Sequence, residues 1–336
     1  MTIRRFALTL ALAAPLVAGV AGCAHEAPTP ASTPMRFEFH SAFLMNLHHF
    51  LVDAARHPGR IDTVSWTAPP TAAEQAAMHD AVAFYAATFG KRDLLFDDEL
   101  RDIKHALARA DDAREQADGL GLPPALAATL DRAGPAYARC LWASQDRVNR
   151  DWIAHVQALQ ARYGAQIQPR LERIFEARFP ALIREDVVVT TGTFTGAYTD
   201  APPPQTVIPS GWEEYGGLAS LEMIWHEAAH AGADDRLVDV IEAQAKAAGR
   251  PVPDSLWHAA LFEAVGVTVA DVYAQGGVAG YVPYADKRGV YSRGWAPYVP
   301  LLHDQWRPWI DGRGSLTGAV DAMLARLPAP PKAAAS

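Results

Sequence analysis

The chain has little cysteine. Only Cys23 and Cys140 occur in 336 residues, so at most one disulfide can form, and none once Cys23 is modified. It has no basic excess. Lys and Arg number 30 against 38 Asp and Glu, a net charge of −8. That balance speaks against nucleic acid as a partner. It equally speaks against electrostatic attachment to anionic lipid. After Phe6–Val20 there is no second long apolar run, so no later segment reads as a membrane span. No internal repeat and no heptad seam long enough for a coiled coil is visible.

What the chain does have begins at its start. Met1–Gly22 carries Arg4 and Arg5, then an apolar run, then small residues, the order of a secretory signal. Val20-Ala21-Gly22-Cys23 resembles a bacterial lipobox. The resemblance implies that Cys23 is lipidated and becomes the first mature residue. With Ala24 next, it implies anchoring to the outer membrane, facing the periplasm, in the bacterial cell envelope. Acyl chains hold through buried methylenes, each worth ~0.8 kcal/mol, so membrane contact is through the anchor only. Loss of residues 1–22 leaves 28 basic against 38 acidic side chains, a net −10. Residues 23–35, with the Pro-rich Ala27–Pro34 run, read as an extended tether.

The most informative stretch is Leu218–Gly232, which contains His226-Glu227-Ala228-Ala229-His230, an H-E-x-x-H pattern. On a helix, residues i and i+4 lie about 40° apart around the axis and one turn apart along it, so both imidazoles can face one metal ion. Glu227 lies about 100° from His226, placed to reach a metal-bound water without being a ligand. Leu218, Leu221, Ile224 and Trp225 have helical spacing, and Glu227 is the one charge between Ile224 and Gly232. The helix should be buried, and a metal offsets the desolvation of its polar side chains. Gly232 is a suitable stop.

Two histidines leave Zn²⁺ short of a protein ligand. The metzincin pattern fails, because Ala233 and Arg236 stand where Gly and His are required. Asp234 and Asp235 follow the helix stop and read as a solvated turn. Glu263 is the third option. It sits in an apolar helical stretch, Asp254–Asp271, with Asp254 as N-cap. Over residues 205–275 this layout resembles the gluzincin group of zinc metallopeptidases. The resemblance implies a zincin-like fold, Zn²⁺ as cofactor with His226, His230 and Glu263 as ligands, Glu227 as general base, and a peptide substrate. It also implies that the strand Thr206–Pro209 borders the cleft with a free edge for an extended peptide. The chain departs from the group in having Phe262 before the glutamate and Val267 four residues after it. The partner of the ligand histidines is left unassigned, with Asp271 and Glu222 as candidates. A hydrolase of this kind needs a donor for the developing oxyanion. Tyr281, Tyr284, Tyr291 and His303 are available, Tyr284 and Tyr291 foremost.

Elsewhere the pattern is helical. Arg36–His57 has apolar spacing and carries His40, His48 and His49. Each is read as a structural histidine, with lining of a cleft as the alternative. Thr71-Ala-Ala-Glu74 is a capping box opening a helix to Phe89. Helices are expected over 97–110, over 122–132 with an end at Gly134-Pro135, and over 136–179, where Cys140 reads as a small core residue. After Pro180 come β-rich stretches at Asp186–Tyr198 and Thr206–Pro209, then helices near 236–248, 254–271 and 315–327. The fold class is therefore mainly α with a small β-sheet (α+β). The organisation is a signal at 1–22, a tether at 23–35, a helical region at 36–179, a zincin-like catalytic region at 180–327 and a disordered tail at 328–336. Two functions compete: a zinc hydrolase, most simply a peptidase, and a non-catalytic lipoprotein of the cell envelope that binds a metal or a partner.

Overall fold

The sheet joins an N-terminal segment to three that follow the long helical stretch. In the computed structural model, which describes residues 34–193 and 196–327, four strands form one mixed sheet in the order β1-β2-β4-β3. They are β1 (Arg36–His40), β2 (Leu182–Val188), β3 (Tyr198–Asp200) and β4 (Gln205–Pro209). β1, β2 and β4 run parallel, and β3 is antiparallel to β4. The signal segment, Cys23, nearly all of the tether and the 328–336 tail lie outside the described residues.

Alternation along the strands assigns each face to a different core. Ile183, Val187 and Ile208 face one hydrophobic cluster, shared with helices α5 (Ala143–Phe175), α6 (Ala219–Ala229) and α8 (Leu256–Gln275). Val188, Tyr198 and Val207 face a second cluster. It is built from α1 (Phe43–Arg56), α2 (Ala72–Thr88), α3 (Asp98–Ala108) and α4 (Pro124–Tyr137). Helices thus cover both faces, which is why every residue of β4 is buried. α7 (Asp235–Ala247) links the two helices of the site. Short helical turns and a last helix, Leu316–Arg326, complete the chain. Among the described residues no helix is long and apolar enough to cross a membrane.

The mainly helical class with a small sheet agrees with the sequence, as do the Thr71 capping box and the last helix. Four local expectations do not hold. Arg36–His40 is a strand, not helix. Its register against Leu182–Asp186 packs the half-buried Phe37 and Phe39 against the first core. The helix from Pro124 does not end at Gly134-Pro135. It continues to Tyr137, passes through a π turn at Ala138–Trp142 and runs on to Phe175. Gly134 packs against the Glu115 carbonyl and the Phe43 ring. Thr206–Pro209 has no free edge, since β4 pairs with β2 on one side and β3 on the other. The cap of α8 is Ser255, at φ 56°, rather than Asp254.

The three histidines near the N-terminus are structural. His40 Nδ1 meets Asp112 at 2.8 Å, and His48 Nδ1 meets the Tyr85 hydroxyl at 2.9 Å. His49 bonds the Thr191 carbonyl at 3.0 Å and the Tyr198 hydroxyl at 3.2 Å. Cys140 is fully buried, as a core residue. Burial pulls the His49 pKa down from 6.5 to about 4. The unfolded imidazole therefore binds a proton at higher pH than the folded one. Its contribution to stability is complete above pH 6.5 and is lost as pH falls toward 4. Between pH 7.5 and 4.5, His49→Gln should lose about 2–3 kcal/mol less stability than wild type. Denaturant midpoints at the two pH values measure this, and equal acid slopes would refute it.

Candidate metal centre

The direction of the site's side chains is set by Trp225. Its indole is completely buried. Edge contacts to Phe37 of β1 and to Phe179, both at 5.4 Å, hold it from two sides. Its Nε1–H donates to Gln160 of α5 at 2.9 Å. This fixes the rotation of α6, so the next residues, His226 and Glu227, leave the helix in defined directions. His230 closes the helix at its C-cap. Gly232, at φ 120°, then turns the chain, as its place in the sequence suggests.

His226 and His230 face each other with ring centroids 4.9 Å apart. The third member is His258, from the first turn of α8. Its Nε2 lies 3.3 Å from that of His226, and the His230 Nε2 lies 3.2 Å from the same atom. All three donor atoms fall within 4.8 Å of one another. Tetrahedral coordination with metal–nitrogen bonds of 2.0–2.1 Å places ligand nitrogens about 3.3–3.4 Å apart. The cluster therefore has the dimensions of a three-imidazole metal site. Phe262, one turn beyond His258, stacks on His226 at 3.9 Å and shields it.

The protonation states of two of the three suit the same role. Burial drives His226 well below its ordinary pKa and His258 down to about 3, so both are neutral at pH 7 with lone pairs available. His230 goes the other way. Burial would lower it, but the Asp234 hydrogen bond and the Glu227 charge outweigh that and raise it. Asp234 Oδ2 sits 2.8 Å from His230 Nδ1. The Nδ1 proton is directed to the carboxylate, and Nε2 is left to face the cluster. Asp234 is buried, not part of a solvated turn. His226 Nδ1 is buried with no hydrogen-bond partner among the described residues. A metal on Nε2 would offset part of that cost.

Glu227 points toward the sheet. Its Oε2 accepts from the Thr199 hydroxyl of β3 at 2.7 Å, and Thr199 meets Thr206 of β4 at 2.9 Å. Burial raises the Glu227 pKa, while the charge on His230 and the Thr199 bond lower it. Behind it, Glu185 of β2 is wholly buried. Burial first, then the Glu227 charge, push it far above the carboxylate range, so it is held neutral.

Glu263 sits elsewhere. Five residues beyond His258, it projects about 140° around α8. Its Oε2 accepts from the Tyr291 hydroxyl at 3.0 Å, and Oε1 takes Arg307 Nη2 and Nε at 2.6 and 3.0 Å. It is not part of the three-donor cluster. The charged partner it has among the described residues is Arg307. Tyr291 is buried with its proton committed to Glu263. Asp271 is exposed. Glu222, raised by burial to about 7, ties down the loop after α8 by accepting from the Tyr281 hydroxyl at 2.5 Å and the Tyr284 N–H at 3.0 Å.

The structure thus brings His226, His230 and Glu227 together and leaves Glu263 and Tyr291 in a separate pair. Sequence reasoning missed His258 and Asp234. Each had a signal. His258 stands one turn before Phe262 on the same helix as Glu263, and Asp234 lies four residues after His230.

A cavity of about 810 Å³ opens beside His258. Trp212, Tyr215, Phe262, Tyr284 and Trp295 supply its rings, so Tyr284 lines the cavity while Tyr291 does not. Comparison with models of protein families, with curated proteins and with solved structures finds no match.

The ligand set is open to direct measurement. His258→Ala should weaken zinc binding by at least about 100-fold, and Asp234→Ala by about 10–100-fold. Glu263→Gln should retain one zinc per chain. Chelator competition with metal analysis reads all three. Loss of zinc in Glu263→Gln with retention in His258→Ala would restore the His226–His230–Glu263 set.

Proposed function

We propose that this protein is a zinc-dependent hydrolase, most simply a peptidase, held at the bacterial outer membrane through Cys23 and facing the periplasm. One observation carries the reading: three imidazoles converge from two helices while a buried carboxylate, Glu227, stands next to them on the same turn. His226, His230 and His258 would hold the ion. When bound, zinc would polarise a carbonyl and lower the pKa of a coordinated water to about 7.

The chain's own groups account for the remaining steps. Glu227 accepts the proton of the attacking water and returns it to the leaving amine. Thr199, donating to Oε2, holds that carboxylate in one rotamer. Asp234 keeps His230 in the tautomer that presents Nε2. Tyr284 lines the cavity and would be the donor to a developing oxyanion. A purely structural metal site, one form of the alternative, calls for a closed shell of four protein ligands. Three donors converge among the described residues, and the cavity borders His258. That favours a site with one position for solvent.

Glu227→Gln decides between the two readings. Zinc should remain at one per chain while hydrolysis of a peptide library falls by at least about 1,000-fold. Turnover equal to wild type in that variant would remove Glu227 from the reaction. A zinc-loaded wild type inactive on all peptides would favour the binding reading.

A further inference from the structure

The wall of the cavity is a continuous belt of rings. Trp212 and Tyr215 have centroids 5.8 Å apart, and Tyr215 and Tyr284 are 5.5 Å apart. Tyr284 stacks parallel to Phe262 at 6.4 Å, Phe262 lies 6.0 Å from Trp295, and Trp295 lies 5.1 Å from His258. The belt therefore ends on a residue of the metal cluster. Trp212, Tyr284 and Trp295 are half-buried, with ring surface still open to the cavity. A monomer gains nothing from leaving that much aromatic surface in a concavity, and such surface serves a guest.

The charges at the rim cancel. Glu213 and Glu214 stand against Arg288 and Arg293, and Arg288 is already paired with Glu214 at 3.3 Å. A cationic guest would meet the arginines, and an anionic one the glutamates. An uncharged apolar or aromatic group meets rings on several sides. At about 810 Å³ the space accepts a large side chain together with adjoining backbone.

We infer that this cavity is the specificity pocket of the proposed hydrolase, and that it takes an aromatic or large aliphatic side chain adjacent to the scissile amide. The inference rests on the hydrolase reading for its reaction, but not for its binding. The guest's ring packs between Trp295 and the Trp212–Tyr215 pair. Its neighbouring carbonyl is then directed toward His258 and the cluster.

The test separates binding from chemistry. Two matched N-acetylated peptide amides, differing only in Phe against Ala at one position, are titrated into zinc-loaded Glu227→Gln protein and followed by tryptophan emission. They are also assayed for hydrolysis by wild type. The Phe peptide should bind at least about 10-fold more tightly and be cleaved with kcat/KM about 100-fold higher. Trp295→Ala should cut both ratios by about 10-fold with zinc content unchanged, and Trp212→Ala provides a second variant should Trp295→Ala fold poorly. Equal binding of the two peptides, or ratios untouched by both tryptophan variants, overturns the inference. Preferential binding of the Phe peptide without hydrolysis by wild type supports the pocket and refutes the hydrolase.

Discussion

The angular setting of α6 is the constraint on which the site depends. A helix with nearly every residue buried has no solvent face to orient it by amphipathicity, so shape must do so. Trp225 supplies the shape. Wedged between Phe37 and Phe179 and hydrogen-bonded to Gln160, it allows one rotation. At that rotation His226 faces α8 and Glu227 faces the sheet. The division of labour between a donor of lone pairs and a bearer of negative charge follows from the 100° step between consecutive helical residues.

Polar groups at this depth are tolerated because each has an assigned counterpart or is neutral. His226 and His258 are uncharged at pH 7, His230 answers to Asp234, and Glu227 to Thr199. Glu263, equally buried, is neutralised by Arg307 and capped by Tyr291. The two acidic residues thus do different things at similar burial. One completes an ion pair that braces α8 against the C-terminal segment. The other is left beside the imidazoles.

How much of this was legible beforehand varies with the range of the interaction involved. Local signals read well: the H-E-x-x-H helix, its glycine stop and the Thr71 capping box are encoded within a few residues of where they act. Signals relying on distant partners read poorly. Arg36–His40 looks helical until its parallel pairing with Leu182–Asp186 is known. Glu263 demands a buried partner, but nothing near it in sequence says that the partner is Arg307 rather than a metal. His258 was outweighed by that acidic neighbour, since the resemblance to gluzincins places weight on a glutamate. Asp234 was dismissed because a turn is ordinarily wet, whereas the turn after Gly232 folds back under α6.

Strand β3 has a consequence for the helical layer that carries no part of the site. Neighbouring residues along it point in opposite directions. Thr199 reaches Glu227 on one side. On the other, Tyr198 contacts His49, and Asp200 pairs with the buried Lys104 at 2.5 Å and with His105 at 3.1 Å. The three-residue strand therefore ties a carboxylate on one face of the sheet to an ion pair on the other. Whatever shifts the remote anchors of Tyr198 and Asp200 alters the height at which a single hydroxyl rests on the carboxylate opposite. The far layer thereby reaches a carboxylate that it never touches.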